Sequence, residues 1–272
     1  MTNYEKTMGQ PCCFTTKASN DRKMMLIEIT NRCNLNCNYC HSVPNTGGEL
    51  KLSDERLLRL LDECKDESFR SLIISGGEPL LSKRVFTVAA AAQKLGLKTD
   101  LCTNGTILND EIRENIKRYF DGITVTLDTN EPSVYALMKG CTPQLFFKVV
   151  KNIESLTKAD VKVGVTVVLT KHNVIYIQDV LRFLEDIGVR KVALLSLYNF
   201  TPEAHEFDIL YSKELITNTR ACIESFPKMD VKFKGFDFYA YKTAMCGAGR
   251  SIFAVEHGGH LLPCILMRNY SP

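Results

Sequence analysis

The stretch MMLIEITNRCNLNCNYC, Met24 to Cys40, runs from a strand-like segment straight into three cysteines. Met24 to Thr30 is apolar and β-branched, as a buried strand requires, and CNLNCNYC then sets Cys33, Cys37 and Cys40 in one short loop. Three thiolates this close either converge on a common centre or stay idle. Soft ligands in this number suit a structural zinc completed by a fourth group, with His41 adjacent, or an iron-sulfur cluster with one iron left open. The spacing favours the iron-sulfur cluster.

The rest of the chain bounds the setting of that loop. Eleven cysteines in 272 residues, an odd number without an export signal, argue against a disulfide framework and for thiols that bind metal or do chemistry. A composition of 45% hydrophobic and 24% charged residues excludes disorder and collagen-like repetition. The 34 basic and 31 acidic residues are dispersed and leave a net charge of +3, so no nucleic-acid partner is expected. No uncharged apolar run approaches the roughly 20 residues of a membrane helix, and the start MTNYEKTMGQPCCFTTK is polar. A cytoplasmic protein with no membrane partner is expected.

Outward from Met24, short apolar runs alternate with amphipathic stretches, the signature of a parallel α/β domain. Ser53 caps a helix to about Cys64, and Ser71–Ser75 is the second strand. A helix from about Lys83 stops at Gly96, Leu97–Cys102 is the third strand, and Asn109 caps a helix to about Tyr119. Gly122–Asp128, Val161–Thr170 and Lys191–Leu197 complete six strands, with helices predicted from about Pro143 to Thr157 and Ile175 to Ile187. Periodicity leaves open whether six such units form a partial barrel or a doubly wound sheet. After a helix at Ser212–Ser225 the pattern changes to a strand-like Val231–Tyr239 and a hairpin-like segment, predicted to be a small appended module. Its turn residues His257 and His260 are read as solvent-facing.

Other motifs stand at strand ends. SGGEP (Ser75–Pro79) pairs glycines, which let backbone approach a ligand, with a carboxylate suited to an ammonium, although such a sequence also makes a plain turn. TNG (Thr103–Gly105) and TLD (Thr126–Asp128) end the third and fourth strands. Asn104-Gly105 is also a common turn pair, and Asp128 is also placed to cap the residues after it. Near the end, Cys246 and Cys264 bracket the hairpin in the pattern C-x12-G-x4-C.

Together CxxxCxxC and GGEP resemble the radical S-adenosylmethionine enzymes. The resemblance implies an α/β partial (β/α)6 TIM-type barrel over residues 24–225, preceded by an N-terminal tail at 1–23 and followed by a C-terminal module at 226–272. It implies that Cys33, Cys37 and Cys40 hold a catalytic 4Fe-4S cluster whose open iron takes the methionine moiety of S-adenosylmethionine. It assigns Tyr39, Gly76, Gly77, Glu78, Pro79, Asn104, Thr126 and Asp128 to cofactor binding. The final segment resembles a truncated SPASM or twitch module, a small β-hairpin unit in which Cys246 and Cys264 ligate an auxiliary cluster; its remaining ligands would come from Cys222, Cys141, a partner or the substrate. The implied activity is reductive cleavage of S-adenosylmethionine to a 5′-deoxyadenosyl radical that abstracts a hydrogen atom, with electrons from a flavodoxin- or ferredoxin-type donor. A peptide or protein side chain is the expected substrate. A small molecule such as a nucleotide or cofactor precursor is the alternative, and a zinc-stabilised scaffold is the alternative of a different class. No general acid or base is identified.

Overall fold

Lys23–Thr30 (β1) is buried at every position after Lys23, which demands covered faces and a hydrogen-bonded neighbour on each edge. The computed structural model, which describes residues 23–42, 47–197, 205–209, 212–234 and 247–270, supplies both neighbours. The chain continues through α1 (Asp54–Asp66), β2 (Phe69–Gly76), α2 (Val85–Lys94), β3 (Lys98–Thr103), α3 (Asp110–Tyr119) and β4 (Gly122–Thr126). Next come α4 (Pro132–Lys139), α5 (Gln144–Lys158), β5 (Val163–Leu169), α6 (Ile177–Asp186), β6 (Lys191–Ser196), α7 (Lys213–Glu224), β7 (Asp230–Lys234), β8 (Ile252–Val255) and β9 (Leu261–Leu262). The cap residues do what their chemistry predicts. Ser53 accepts from the Arg56 amide at 3.2 Å, Asn109 from Ile112 at 2.7 Å and Ser212 from Leu215 at 3.0 Å, each interaction stabilising its helix start by about 1 kcal/mol.

Among the described residues the strands form one sheet in the order β7-β6-β5-β4-β3-β2-β1-β8-β9. Every pair is parallel except β8 with β9. One face carries the helices. Ile27, Leu72, Leu101, Val125, Val165 and Val192 project into a single buried core with Leu57, Leu61, Val88, Ile116, Ile153 and Leu181. On the opposite face Ser75, Cys102, Thr124, Thr126 and Thr166 are only half-buried. Helices on one face only, with half-buried polar groups and a small apolar cluster of Met24, Leu26, Ile73, Ile252 and Ala254 on the other, make this sheet the wall of an open barrel, not the middle layer of a doubly wound fold.

Three features depart from the sequence expectation. The barrel wall has eight parallel strands instead of six, because β7 joins the β6 edge and β8 joins the β1 edge. β7, which follows the expected boundary at 225/226, pairs with β6. The C-terminal hairpin is real, with Val255 opposite Leu261 and Ala254 opposite Leu262, but it is built onto the sheet through β8. Finally, α4 had no counterpart in the sequence reading. Its marks are Pro132 at the first turn and Gly140 in the left-handed conformation after the last, a start-and-stop pair on a helix of only 8 residues.

Candidate functional site

The cysteine loop leaves the carboxyl end of β1 and is closed by Asn31. This side chain, 1% exposed, donates to the Ser42 carbonyl at 3.3 Å and accepts from the Gly47 amide at 3.0 Å, tying both ends of the excursion together. Leu35 is buried and anchors the middle. Cys33, Cys37 and Cys40 are half-buried, and none is in a disulfide. Burial pushes the Cys37 thiol up to about 12, with the Lys139 ammonium pulling the other way. Burial also raises Cys33 and Cys40, so metal binding must displace protons from these groups.

The spacing of the donors tests which metal centre they fit. A tetrahedral zinc with Zn–S bonds near 2.3 Å needs sulfurs about 3.8 Å apart. Among the described residues, no three donors drawn from Cys33, Cys37, Cys40 and His41 lie within 4.8 Å of one another. Burial, with the Arg268 charge, lowers the His41 imidazole to about 4, so it is neutral, yet it does not complete such a set. The three thiols lie near enough to disfavour one another's ionisation, and three soft donors that do not gather around one tetrahedral zinc fit a multi-iron cluster.

The SGGEP turn packs directly on this loop. A Cβ at Gly76 would stand 2.2 Å from the Thr30 carbonyl oxygen, and one at Gly77 would stand 2.3 Å from that of Arg32. The Gly77 amide donates to the Thr30 carbonyl at 2.9 Å and the Glu78 amide to that of Arg32 at 2.8 Å. The close approach that demands paired glycines is therefore to the protein's own cysteine loop. Glu78 is also turned inward. It is completely buried and accepts from Thr103 Oγ1 at 2.7 Å, the Leu80 amide at 3.1 Å and the Asn104 amide at 2.8 Å. Burial raises its pKa while these three donors oppose the rise. Pro79 is buried at the start of a 3-10 turn, Pro79–Leu81.

Glu78 thus locks the turn after β2 to the turn after β3, and Asn104 carries the connection back to the cysteine loop. The Asn104 amide nitrogen reaches Asn34 Oδ1 at 2.9 Å and Cys33 Sγ at 3.8 Å, while its oxygen accepts from Thr106. Thr126 ends β4 opposite Thr166, on the half-buried face of the sheet.

Asp128 lies just beyond the end of β4. It is fully buried, and Oδ1 accepts from the Val168 amide at 2.8 Å while Oδ2 meets Lys139 Nζ at 2.8 Å and the Tyr39 hydroxyl. Neither oxygen caps the residues after it; the Asp128 carbonyl is instead claimed by Asn173 at 2.7 Å. Lys139 also donates to the Tyr39 hydroxyl and lies 5.0 Å from its ring centre. Burial acts against the ammonium, but Asp128 and then Cys37 outweigh it and hold Lys139 above the ordinary lysine value. Tyr39, expected to contact cofactor, is the link through which this buried charge pair grips the loop between Cys37 and Cys40. Asn38 completes the grip by donating to the carbonyls of Met138 and Leu137, at 3.1 and 2.7 Å, which the end of α4 leaves without helical partners.

At the far edge, Cys264 is half-buried beside the 3-10 turn Ile265–Tyr270, whereas Cys246 lies outside the described residues, as do Cys12, Cys13 and Asn199. His260 is exposed as expected. His257 is not: its side chain is only 17% exposed, and Gly47 packs so close that an added Cβ would stand 2.2 Å from its Nε2.

Residues 27–184, more than half of the chain, match the Radical SAM superfamily. The chain is 28% identical over 197 residues to the tungsten-containing aldehyde ferredoxin oxidoreductase cofactor-modifying protein of Pyrococcus furiosus, covering 70% of this chain and 55% of that protein. It is 30% identical over 194 residues to a probable GTP 3',8-cyclase of Methanosarcina mazei, covering 67% and 57%. It thus spans about half the length of the curated relatives it matches. Among solved structures, Streptococcus suis SuiB bound to the precursor peptide SuiA shares the fold with a TM-score of 0.77 at 18% identity, over 93% of this chain and 62% of that one. A structure of anSMEcpe with bound AdoMet and a Cp18Cys peptide gives 0.67 at 20% identity, over 90% and 74%. No helix among the described residues is long and apolar enough to cross a membrane. With three cysteines at the carboxyl end of an open parallel barrel, and with a 4Fe-4S cluster and S-adenosylmethionine implied as its cofactors, the chain belongs to the radical SAM superfamily.

Proposed function

We propose that this protein abstracts a hydrogen atom from a side chain of a ribosomally made peptide or protein. The observation that carries the radical chemistry is the cysteine loop, whose three thiols do not gather around one tetrahedral zinc and are braced from two sides by buried polar contacts. When bound, a 4Fe-4S cluster and S-adenosylmethionine supply reductive cleavage to methionine and a 5′-deoxyadenosyl radical. In this reading Cys33, Cys37 and Cys40 hold the iron, and Asn104 orients Cys33. The backbone at Gly76-Gly77 and the hydroxyl of Thr126 stand on the side where the nucleoside and methionine groups are received. The small polar residues on the open face of the sheet form the wall against which a substrate is held away from water.

Support for a peptide comes from the shared fold with SuiB bound to its precursor peptide and with anSMEcpe bound to a peptide. The names of the curated relatives, a cofactor-modifying protein and a probable GTP 3',8-cyclase, favour a second reading with a small-molecule substrate. Cys264 together with Cys246 is proposed to ligate an auxiliary cluster, and electrons are proposed to come from a flavodoxin- or ferredoxin-type donor.

The test is anaerobic reconstitution, followed by reduction with S-adenosylmethionine and either peptides encoded beside the gene or GTP. Formation of 5′-deoxyadenosine with a mass change in a peptide is the expected result; a change in GTP alone would establish the second reading. Cys37→Ala is expected to lose iron and 5′-deoxyadenosine formation together. An auxiliary cluster predicts about eight irons per chain against about four without one.

A further inference from the structure

On the side of the hairpin facing β1, two buried polar atoms point at each other's neighbourhood and neither has a hydrogen-bond partner among the described residues. They are Glu28 Oε2, on a residue 3% exposed, and His257 Nδ1. Glu256, the next residue in the hairpin turn, contributes a third donor. His257 Nδ1 lies 3.2 Å from Glu256 Oε2 and 3.8 Å from Glu28 Oε2, and one donor atom of each residue lies within 4.8 Å of the other two. The 3.2 Å pair is close enough for a hydrogen bond but lacks the alignment for one, so the imidazole nitrogen sits beside two carboxylates and is hydrogen-bonded to neither.

That spacing has a chemical meaning. Bonds of 2.0–2.2 Å to nitrogen and oxygen in a tetrahedron place the donors about 3.3–3.5 Å apart, a value bracketed by the two distances found here. One imidazole and two carboxylates are borderline-hard donors of the zinc class, and an unpaired carboxylate oxygen in a buried setting is costly unless a cation meets it. The other oxygen of Glu28 is held by Arg268 and Ser42, and those of Glu256 by the Gly258 amide and His260, which orients both carboxylates.

We propose that Glu28, Glu256 and His257 bind one divalent zinc-type cation, separate from the cysteine centre. The ion ties together three segments. They are β1 through Glu28, the hairpin turn through Glu256 and His257, and the strand-like return at 47–51, where Gly47 packs on the imidazole and the Lys51 amide donates to the His257 carbonyl at 2.8 Å. Because that return closes the cysteine loop, the site buttresses the loop from the rear. The proposal rests on this geometry and not on the radical chemistry.

The test uses the full chain with its iron loaded anaerobically, so that the cysteines are occupied, titrated with Co2+ as a spectroscopic substitute for zinc. One cobalt per chain is expected, with visible d–d bands and no thiolate-to-metal charge-transfer band. His257→Ala and, as the variant that keeps side-chain shape, Glu256→Gln are each expected to weaken cobalt binding at least about tenfold with iron content unchanged. Cobalt binding as tight in both variants as in the unsubstituted chain would overturn the proposal, and so would thiolate charge-transfer bands.

Discussion

Lys139 is 2% exposed and Asp128 is not exposed at all, so each charge is compensated by its partner and by Tyr39 rather than by water. Replacing one member leaves the other buried and unpaired, which costs about 3–5 kcal/mol. Lys139→Met is therefore expected to lower the thermal unfolding midpoint of the iron-free chain sharply. The double variant Lys139→Met/Asp128→Asn should lose less than the two single variants summed, because it removes both charges; full additivity would show that the pair is not coupled. Gly140 has a different constraint. It adopts φ of 60° and has the Asn36 carbonyl oxygen 2.3 Å from where a Cβ would stand. Gly140→Ala is expected to displace the cysteine loop, reducing iron per chain after reconstitution while the circular dichroism spectrum keeps its helix and strand content.

At the scale of elements, β3 carries a stability cost that is separate from the site. Burial, then the neighbouring Asp121, raises Asp100 to about 6, with Lys191, Lys98 and Lys162 opposing. The folded chain therefore holds this proton more tightly than the unfolded one, whose carboxyl titrates near 3.8. Below that value both states are protonated and nothing is lost. As pH rises toward 6 the folded state is progressively penalised, and above 6 the penalty is complete. Asp100→Asn removes it and is expected to raise stability at pH 7.5 by on the order of 3 kcal/mol, with little gain near pH 4. Urea unfolding at the two pH values measures the difference, and an equal gain at both would rule out ionisation as the cause.

For the whole molecule, the decisive contact is between residues more than two hundred positions apart. Met24 to Ile27 pairs in parallel register with Ile252 to Val255, so the C-terminal hairpin covers the one edge of β1 that β2 leaves open. An uncovered strand edge, here apolar from Met24 to Ile27, is a template for intermolecular pairing. Deleting 247–272 is expected to yield aggregated protein by size-exclusion chromatography. A monomer as stable as the full chain would show that the hairpin is an appendage.

What the sequence determined by itself was local: strand and helix positions from periodicity, three helix starts from Ser53, Asn109 and Ser212, and the metal-binding character of CNLNCNYC from residue type and spacing. These signals are legible because they lie within a few residues of one another. Tertiary structure decided which partners within the protein these groups find. Gly76 and Gly77 yield space to Thr30 and Arg32, Glu78 turns inward to Thr103 and Asn104, and Asp128 finds Lys139 across a helix too short to announce itself. The placement of β8 against β1 was equally out of reach. Hydrogen-bond partners and buried charges are matched across the folded chain, and spacing along the sequence records neither.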